Sequence, residues 1–273
     1  MKSLQLVIII ISILIAHNLS AQEIKGILLC KETQNPIAYV NIGIPNKNSG
    51  TVSNIDGKFI LFIDTKNSND SLKFSCIGYK SKTISIKEIL SSKQDKIELN
   101  EKITEIKEIT VLPKEYKLKS LGVKTEFKRI SAGFHENKLG YELGILMKTR
   151  KQMILKKIHI NFSYSSYDSI FYRLNVYEQT GKMQFENIMP EPYYISLASK
   201  DLKKTTTIDI SHLNIISDKN LLVTLEHVKD LGEGQLLFCA TPARKTIYRK
   251  TSQGEWETVP VGISISAEAM VEK

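Results

Sequence analysis

The chain has 273 residues, of which 42% are hydrophobic and 25% are charged, and 38 Lys and Arg against 29 Asp and Glu give a formal net charge of +9. The hydrophobic fraction is too high for a disordered chain, and three cysteines are too few for a disulfide scaffold. The length allows one large domain or two domains of modest size, each with its own hydrophobic core. The basic excess is spread along the chain, so we expect no nucleic-acid partner.

Residues 1–21 have the layout of a secretory signal peptide. Lys2 supplies a positive charge, residues 6–16 form an apolar run, and small Ala21 precedes Gln22. The apolar run is shorter than the roughly 20 residues that span a bilayer, although an uncleaved N-terminal anchor stays open as an alternative. We therefore expect an exported protein that is periplasmic, associated with the outer membrane or on the cell surface. The mature chain, residues 22–273, is expected to contain no transmembrane segment.

Residues 22–112 alternate short strand-like runs with turn residues. The runs are 23–30, 38–44, 58–63, 71–76, 82–86 and 96–99, and 110–112 is a candidate for a last strand. Asp56-Gly57 predicts a tight hairpin turn, because glycine takes the positive φ that such turns require. Residues 87–92 allow one helical turn. Closely spaced strands without a long helical pattern predict a β-sandwich.

Residues 113–138 change character. The stretch 113–129 contains six basic and two acidic residues and few apolar ones. We interpret residues 113–138 as a basic linker, or as an extended strap across the next domain. Its charge would add attraction to anionic polymers of the cell envelope.

Residues 139–273 resume the strand pattern and predict a second, larger β-sandwich, a jelly roll. Turn residues separate ten candidate strands, and the alternation of apolar and polar residues is clearest at 154–162 and 171–177. The ten segments are 142–149, 153–163, 169–178, 192–198, 205–210, 220–228, 234–241, 245–250, 255–259 and 262–268. The predicted fold class is therefore all-β, with two sandwich domains.

Three stretches of the first domain carry a family signature. After Gly26 come NPIAYVNI at 35–42, GTVSNIDGKF at 50–59 and LKFSCIGYK at 72–80. Together they resemble the carboxypeptidase regulatory-like domain of exported Bacteroidetes-type envelope proteins, over about residues 22–100. The resemblance implies a seven-stranded transthyretin-like sandwich, which is an accessory domain in the peptidases and predicts no hydrolysis. The C-terminal half is similar to the C-terminal half of exported proteins that carry the same first domain. This resemblance implies no particular activity.

Catalytic motifs are missing from the sequence. The five histidines, His17, His135, His159, His212 and His227, show none of the spacings of a catalytic zinc site, and no Gly-x-Ser-x-Gly occurs. Carboxylate pairs are too common in a chain with 29 acidic residues to indicate a glycosidase. We expect no catalytic residue, no metal site and no cofactor, although a structural calcium held by scattered ligands of the jelly roll stays open as an alternative.

The three cysteines lie in apolar strand runs, which favours buried, unreactive thiols. Cys30 and Cys76 fall in one domain, so a disulfide between them stays open in an oxidising compartment. Sequence spacing does not show whether their Cβ atoms meet.

Aromatic residues supply the remaining binding signal. On a sandwich, exposed aromatic rings can stack on sugar rings, although the ordinary alternative is that they pack in the core. The run 162–168 is the best candidate for an exposed loop. The candidate ligand-binding residues are Tyr164, Tyr167, Tyr172, Tyr193, Tyr194 and Trp256.

These observations favour an exported, non-catalytic binding or scaffold protein of the cell envelope. The first domain would act as a spacer or docking module and the jelly roll as the recognition unit, with an envelope protein or a glycan as partner. One alternative is a carbohydrate- or peptide-acting hydrolase whose site in the C-terminal domain has no recognisable motif. Another is a structural subunit whose open sheet edges pair with a partner.

Overall fold

The computed structural model describes residues 21–92, 95–102, 115–149, 151–202 and 204–273. Residues 21–102 form the first unit, which has seven strands, one α-helix and a short 3-10 helix (Thr65–Asn67) in its described part. They are β1 (Ala21–Cys30), β2 (Asn41–Gly43), β3 (Gly50–Val52), β4 (Lys58–Asp64), β5 (Ser71–Ser75), β6 (Lys82–Ser85), α1 (Ile86–Ser92) and β7 (Lys96–Leu99). Along the described ranges, no helix is both long and apolar enough to cross a membrane.

The first unit is a two-layer β-sandwich, which confirms the predicted fold. One sheet has the order β4-β1-β7 and the other β3-β2-β5-β6. Strand β4 shows how alternation of apolar and polar residues predicts a strand with one buried face. Its residues Phe59, Leu61 and Ile63 are buried, and those between them are exposed. The buried residues of both sheets, including Leu28 and Phe74, form one hydrophobic cluster.

The turn at Asp56-Gly57 is tight, as predicted, but it does not make a two-strand hairpin within one sheet. Gly57 has φ +73°, and the Gly57 and Lys58 amides donate to the carbonyl and the side-chain oxygen of Asn54 at 3.0 and 2.8 Å. The strands on either side belong to different sheets, β3 to one and β4 to the other. The turn therefore carries the chain across the sandwich.

The second unit is larger, and its described strands run from residue 116 to residue 272. They are β8 (Tyr116–Gly122), β9 (Ser131–Phe134), β10 (Glu142–Met147), β11 (Met153–Ile160), β12 (Phe162–Ser165), β13 (Ser169–Gly181), β14 (Gln184–Asn187), β15 (Tyr193–Ala198), β16 (Thr206–Asp209), β17 (Ile216–Ser217), β18 (Leu221–His227), β19 (Leu236–Thr241), β20 (Thr246–Arg249), β21 (Glu257–Val259), β22 (Gly262–Ile263) and β23 (Ile265–Glu272).

Three sheets enclose the core of the second unit. The largest has the order β14-β13-β18-β10-β20-β21, with β15 also pairing β13. The second has the order β16-β11-β23-β8, with β17 also on β11, and the third has β12-β19-β22, with β9 also on β19. Buried side chains of all three sheets form one hydrophobic cluster, to which Ile158, Tyr172, Leu225 and Phe238 belong.

Each of the ten segments predicted in the second unit contains a strand, and the all-β class is confirmed. The segment predicted to be a linker or strap, 113–138, includes β8 and β9 in its described part, and these strands pair with β23 and β19. Helix α1 has seven residues, about two turns rather than one. The predicted strand at 110–112 and nearly all of the predicted signal peptide lie outside the described residues.

Candidate binding site

The aromatic candidate that reaches solvent most fully is Tyr164, on β12, whose side chain is 51% exposed. A side chain two positions after buried Phe162 would ordinarily face the core as well. The pairing of β12 with β19 shifts between these two residues, since Phe162 pairs with Phe238 and Tyr164 with Leu237. This β-bulge turns the ring of Tyr164 outward.

Tyr164 borders a shallow hollow of about 180 Å³, which we call the Tyr164 hollow. It lies between β12 and the segment that follows β15. Its lining consists of serine hydroxyls, two lysines and three apolar side chains: Lys128, Phe162, Ser163, Tyr164, Ser165, Ser199, Leu202 and Lys204. Ser165 Oγ lies 3.3 Å from Ser199 Oγ, and Lys204 pairs with Glu126, so part of this wall is fixed by its own contacts.

The Tyr164 hollow combines an apolar face with polar groups. An aromatic ring offers a flat apolar face, while hydroxyl and ammonium groups offer hydrogen bonds at its edge. Ser163 Oγ is buried without a protein hydrogen-bond partner in the described structure, so the hydroxyls of Ser165 and Ser199 are the serine groups nearer to solvent. The described lining contains no Asp, Glu, His or Cys side chain, so its serine hydroxyls have no carboxylate or imidazole base within the hollow.

Two other candidates of the same region are in the core. Tyr167 and Tyr172 are 5% and 0% exposed, so neither ring has a free face on which a sugar could stack. Burial raises the pKa of both hydroxyls above the ordinary value. Gly234 makes room for Tyr167, since a Cβ there would lie 2.5 Å from its ring. The expectation that these two tyrosines bind a ligand is therefore wrong.

Tyr193, Tyr194 and Trp256 are half-buried and serve packing instead. Tyr194 stacks on Phe171 with ring centroids 5.2 Å apart, and burial raises its pKa to about 12. Trp256 covers Arg249, whose guanidinium carbon lies 4.8 Å from the ring centroid. Tyr193 packs against the main core of the second unit. None of these three side chains lines the Tyr164 hollow.

A junction between the two units centres on Arg173 of β13, which is only 2% exposed. Its guanidinium donates to the backbone carbonyl of Tyr39 at 2.8 Å and to the side chain of Asn41, both in the first unit. Within the second unit it pairs with Glu226 at 2.7 Å. The ring of Tyr39 packs against Phe171 at 5.3 Å, so an aromatic cluster flanks the ionic contact.

Glu226 belongs to a buried set of two carboxylates and two guanidiniums, which we call the junction network. Glu142 pairs with Arg249 at 2.6 Å, and Asn175 donates to both carboxylates at 2.8 and 2.9 Å. Burial raises the pKa of Glu142, and Arg249 offsets this only in part. Burial also acts to raise the pKa of Glu226, but Arg173 and Arg249 outweigh it and hold that pKa low. The formal charges cancel, which makes burial of the four groups tolerable.

Sequence reasoning missed the junction network because charged residues are usually exposed. The strand patterns did contain a signal. Thr224 and Glu226 alternate with Val223 and Leu225 in β18, and two polar residues of β13, Arg173 and Asn175, likewise alternate with apolar ones. Register places Arg173 opposite Glu226 and Asn175 opposite Thr224, so the polar residues share one sheet face. That face is buried because the first unit contacts Arg173 there and Trp256 lies over Arg249.

The nearest arrangement to a catalytic triad lies on the second sheet of the larger unit. His159 Nδ1 is 2.9 Å from Thr207 Oγ1, and His159 Nε2 is 3.3 Å from Glu268 Oε1. The carboxylate contact does not form a hydrogen bond, so Glu268 does not fix the imidazole as a triad requires. None of these residues lines the Tyr164 hollow.

All three cysteines are free thiols, so the structure contains no Cys30–Cys76 disulfide. Burial raises the pKa of the Cys76 and Cys239 thiols, which keeps them protonated. Ligand atoms of Cys30, Glu32 and Glu101 lie within 4.8 Å of one another. The Cys30 thiol lies 3.3 Å from Glu32 Oε2 as a donor, and the Glu101 amide donates to the same oxygen at 3.4 Å. These hydrogen bonds explain why the three side chains lie close together, with no need for a metal ion.

Comparison with known proteins agrees with the architecture of the first unit. Residues 24–111 match the CarboxypepD_reg-like domain family. No curated protein matches the chain.

Two solved structures of infectious bursal disease virus show weak likeness. The VP2 subviral particle is 8% identical over 85% of this chain and 60% of the viral chain, with a TM-score of 0.18. The structure of the Gx strain is 10% identical over 92% of this chain and 65% of the viral chain, with a TM-score of 0.13. The chain thus spans less than two thirds of either viral chain, and TM-scores this low carry no conclusion about fold or function.

The signature at 35–42, 50–59 and 72–80, the seven-stranded sandwich and the family match all fall on the same segment. Such a domain is consistent with a non-catalytic regulatory or spacer module. The first unit of the chain is therefore a carboxypeptidase regulatory-like domain.

Proposed function

We propose that this chain is an exported, non-catalytic binding protein of the cell envelope that recognises a glycan through the Tyr164 hollow. The exposed ring of Tyr164 carries the proposal, because a bulge holds it beside hydroxyl and ammonium groups in a concave surface. Ligand sites of this kind combine an apolar platform with a few polar groups that fix orientation. The described lining contains no carboxylate, imidazole or thiol, which supports recognition without chemistry.

The first domain would act as a spacer or docking module in this protein. The contacts of Arg173 with Tyr39 and Asn41 support a fixed rather than flexible attachment of the two units. A fixed attachment would hold the Tyr164 hollow in a constant orientation relative to whatever the first domain contacts.

A binding screen tests the proposal. Purified residues 22–273 are incubated with polysaccharides and with solubilised envelope fractions at low and moderate salt. We expect saturable binding to one polysaccharide that persists at moderate salt and is lost in Tyr164→Ala. The control Phe62→Ala removes another exposed aromatic ring, in the first domain, and should bind as the wild type does. Failure to bind any polysaccharide, or full binding by Tyr164→Ala, contradicts the proposal, and capture of a specific envelope protein instead would favour the scaffold role.

Export has its own test. The mature protein recovered from cells should begin at Gln22, which mass spectrometry of the intact chain measures directly. A mature chain that still contains residues 1–21, recovered from the cytoplasm, contradicts export.

The hydrolase alternative is favoured by one observation, the contact of His159 with Thr207. If it were correct, incubation with the bound polysaccharide would release new reducing ends, and Thr207→Ala would abolish the release. Our proposal predicts an unchanged chain length for the polysaccharide with both proteins.

A further inference from the structure

A second hollow, which we call the Lys119 hollow, lies beside the edge strand β8 and has a volume of about 500 Å³. Its lining contains three lysines, two uncharged polar residues and two apolar residues: Lys119, Leu121, Lys148, Thr149, Lys151, Asn220 and Val271. Lys119 comes from the basic segment 113–129, whereas Lys148 and Lys151 come from the connection between β10 and β11. Residues distant in sequence therefore converge on one concave surface.

Hydrogen bonds hold the wall of the Lys119 hollow in place. The Thr149 amide donates to Asn220 Oδ1 at 3.0 Å, and Asn220 Nδ2 donates to Gln179 Oε1 at 2.9 Å. Thr149 Oγ1 also donates to the backbone carbonyl of Lys151 at 2.8 Å. The backbone that presents Lys148 and Lys151 is thus fixed before any ligand arrives, which lowers the entropic cost of binding.

Among the described residues, no carboxylate neutralises the charge of the Lys119 hollow. In the described part of the chain its lining contains no carboxylate, and none of its three lysines has a carboxylate within 4.0 Å. Several other surface lysines do have such partners, among them Lys47, Lys219 and Lys250. Converging unpaired ammonium groups create a positive potential that attracts an anion. Leu121 and Val271 add an apolar floor that can contact a carbon skeleton.

We propose that the Lys119 hollow binds an anionic group of an acidic polysaccharide. The proposal rests on the proposed glycan-binding function and names the charge class of the ligand. The basic segment links the two hollows, since Lys119 lines one and Lys128 lines the other. These two lysines are nine positions apart in the sequence, so their Cα atoms are at most about 32 Å apart. A polymer can therefore contact both hollows, while a small anion can occupy only one.

The test uses polygalacturonate as a carboxylated polymer and dextran as a neutral one, with residues 22–273. The variant Lys119→Gln/Lys148→Gln/Lys151→Gln removes three charges from the hollow. The matched control Lys58→Gln/Lys80→Gln/Lys87→Gln removes three exposed charges from the first domain. At moderate salt we expect the hollow variant to bind polygalacturonate roughly tenfold more weakly than the control does. Binding to dextran should be the same in both variants.

If the hollow variant and the control lost affinity for polygalacturonate equally, the attraction would depend on net charge alone and the proposal would be overturned. Full binding of polygalacturonate by the hollow variant would also overturn it. Galacturonate monomer serves as a competitor at constant ionic strength and at a carboxylate concentration equal to that of the polymer. Under these conditions the monomer should block a site for small anions but not a site for the polymer. Complete block by the monomer contradicts the proposal. Tyr164→Ala is measured beside these variants to distinguish the two proposals. Its binding to glycans tests the Tyr164 hollow, whereas the binding of the lysine variant tests the Lys119 hollow.

Discussion

Two tyrosines three positions apart, Tyr164 and Tyr167, have opposite surroundings, one exposed and the other in the core. Tyr164→Ala should change the free energy of unfolding by no more than about 0.5 kcal/mol, as surface substitutions do. Tyr167→Ala should lower it by about 3 kcal/mol, because it removes a buried ring and leaves a cavity. Urea denaturation of both variants measures the difference. Equal losses would contradict the environments assigned to these rings.

A buried histidine makes the free energy of unfolding depend on pH below neutrality. His227 is fully buried beside Phe134 and Tyr172, and burial lowers its pKa below the ordinary 6.5. As the pH falls below about 6.5, the unfolded chain binds a proton that the folded chain does not, so stability falls until the pH reaches the folded pKa. The slope for one such proton approaches about 1.4 kcal/mol per pH unit.

The variant His227→Phe tests this dependence, because it keeps an aromatic ring in the site and removes the titrating group. Its free energy of unfolding should fall less steeply between pH 6.5 and 5 than that of the wild type. His135→Phe, at an exposed position, serves as the control and should keep the wild-type slope. The same slope in His227→Phe and in the wild type would contradict the assignment.

At the scale of strands and turns, Gly57 is the most constrained position of the first domain's signature. Its φ is +73°, and a Cβ there would lie 2.6 Å from the Leu28 carbonyl oxygen. Gly232 has a similar φ of +78°, but a Cβ at that position would meet no atom within 4 Å. Gly57→Ala should therefore lower the unfolding free energy by at least about 1 kcal/mol more than Gly232→Ala does. Thermal or urea denaturation checks this, and equal effects would show that the Leu28 contact does not matter.

The strands were predictable where one face is buried, because period-two alternation then appears in the residues themselves. Strand β8 was missed because it is a Lys-rich edge strand with most side chains exposed, which resembles a linker. The orientation of Tyr164 was not predictable, since it depends on a bulge in the pairing with β19. The junction network was not predictable either, because its burial depends on contact with the other domain. The Lys119 hollow combines residues that only the fold brings together.

At the scale of the whole molecule, the two domains should unfold as one unit because buried contacts join them. Trp256 is the only tryptophan of the chain and lies in the second unit, beside Arg249 of the junction network. Its fluorescence therefore reports on the second unit, while far-UV circular dichroism reports on both. The two signals should show the same denaturation midpoint. Separate midpoints would contradict a rigid junction.

Arg173 is the residue on which that junction depends most. Arg173→Met should lower the unfolding free energy by about 3–5 kcal/mol, because Glu226 would be left buried without its main partner. The double variant Arg173→Met/Glu226→Leu should regain part of the loss, since it removes the unpaired charge. Calorimetry measures both. A loss below about 1 kcal/mol in Arg173→Met would show that the junction network contributes little.

The central claim is that this two-domain protein recognises a glycan at Tyr164 without cleaving it. Isothermal titration with the polysaccharide retained in the screen, on wild type, Tyr164→Ala, Tyr164→Trp and Phe62→Ala, tests it most directly. We predict that Tyr164→Ala weakens binding by about tenfold or more, since a stacking ring contributes on the order of 1–3 kcal/mol. Tyr164→Trp should keep most of the affinity, and Phe62→Ala all of it. Equal affinity of Tyr164→Ala and the wild type would contradict the account.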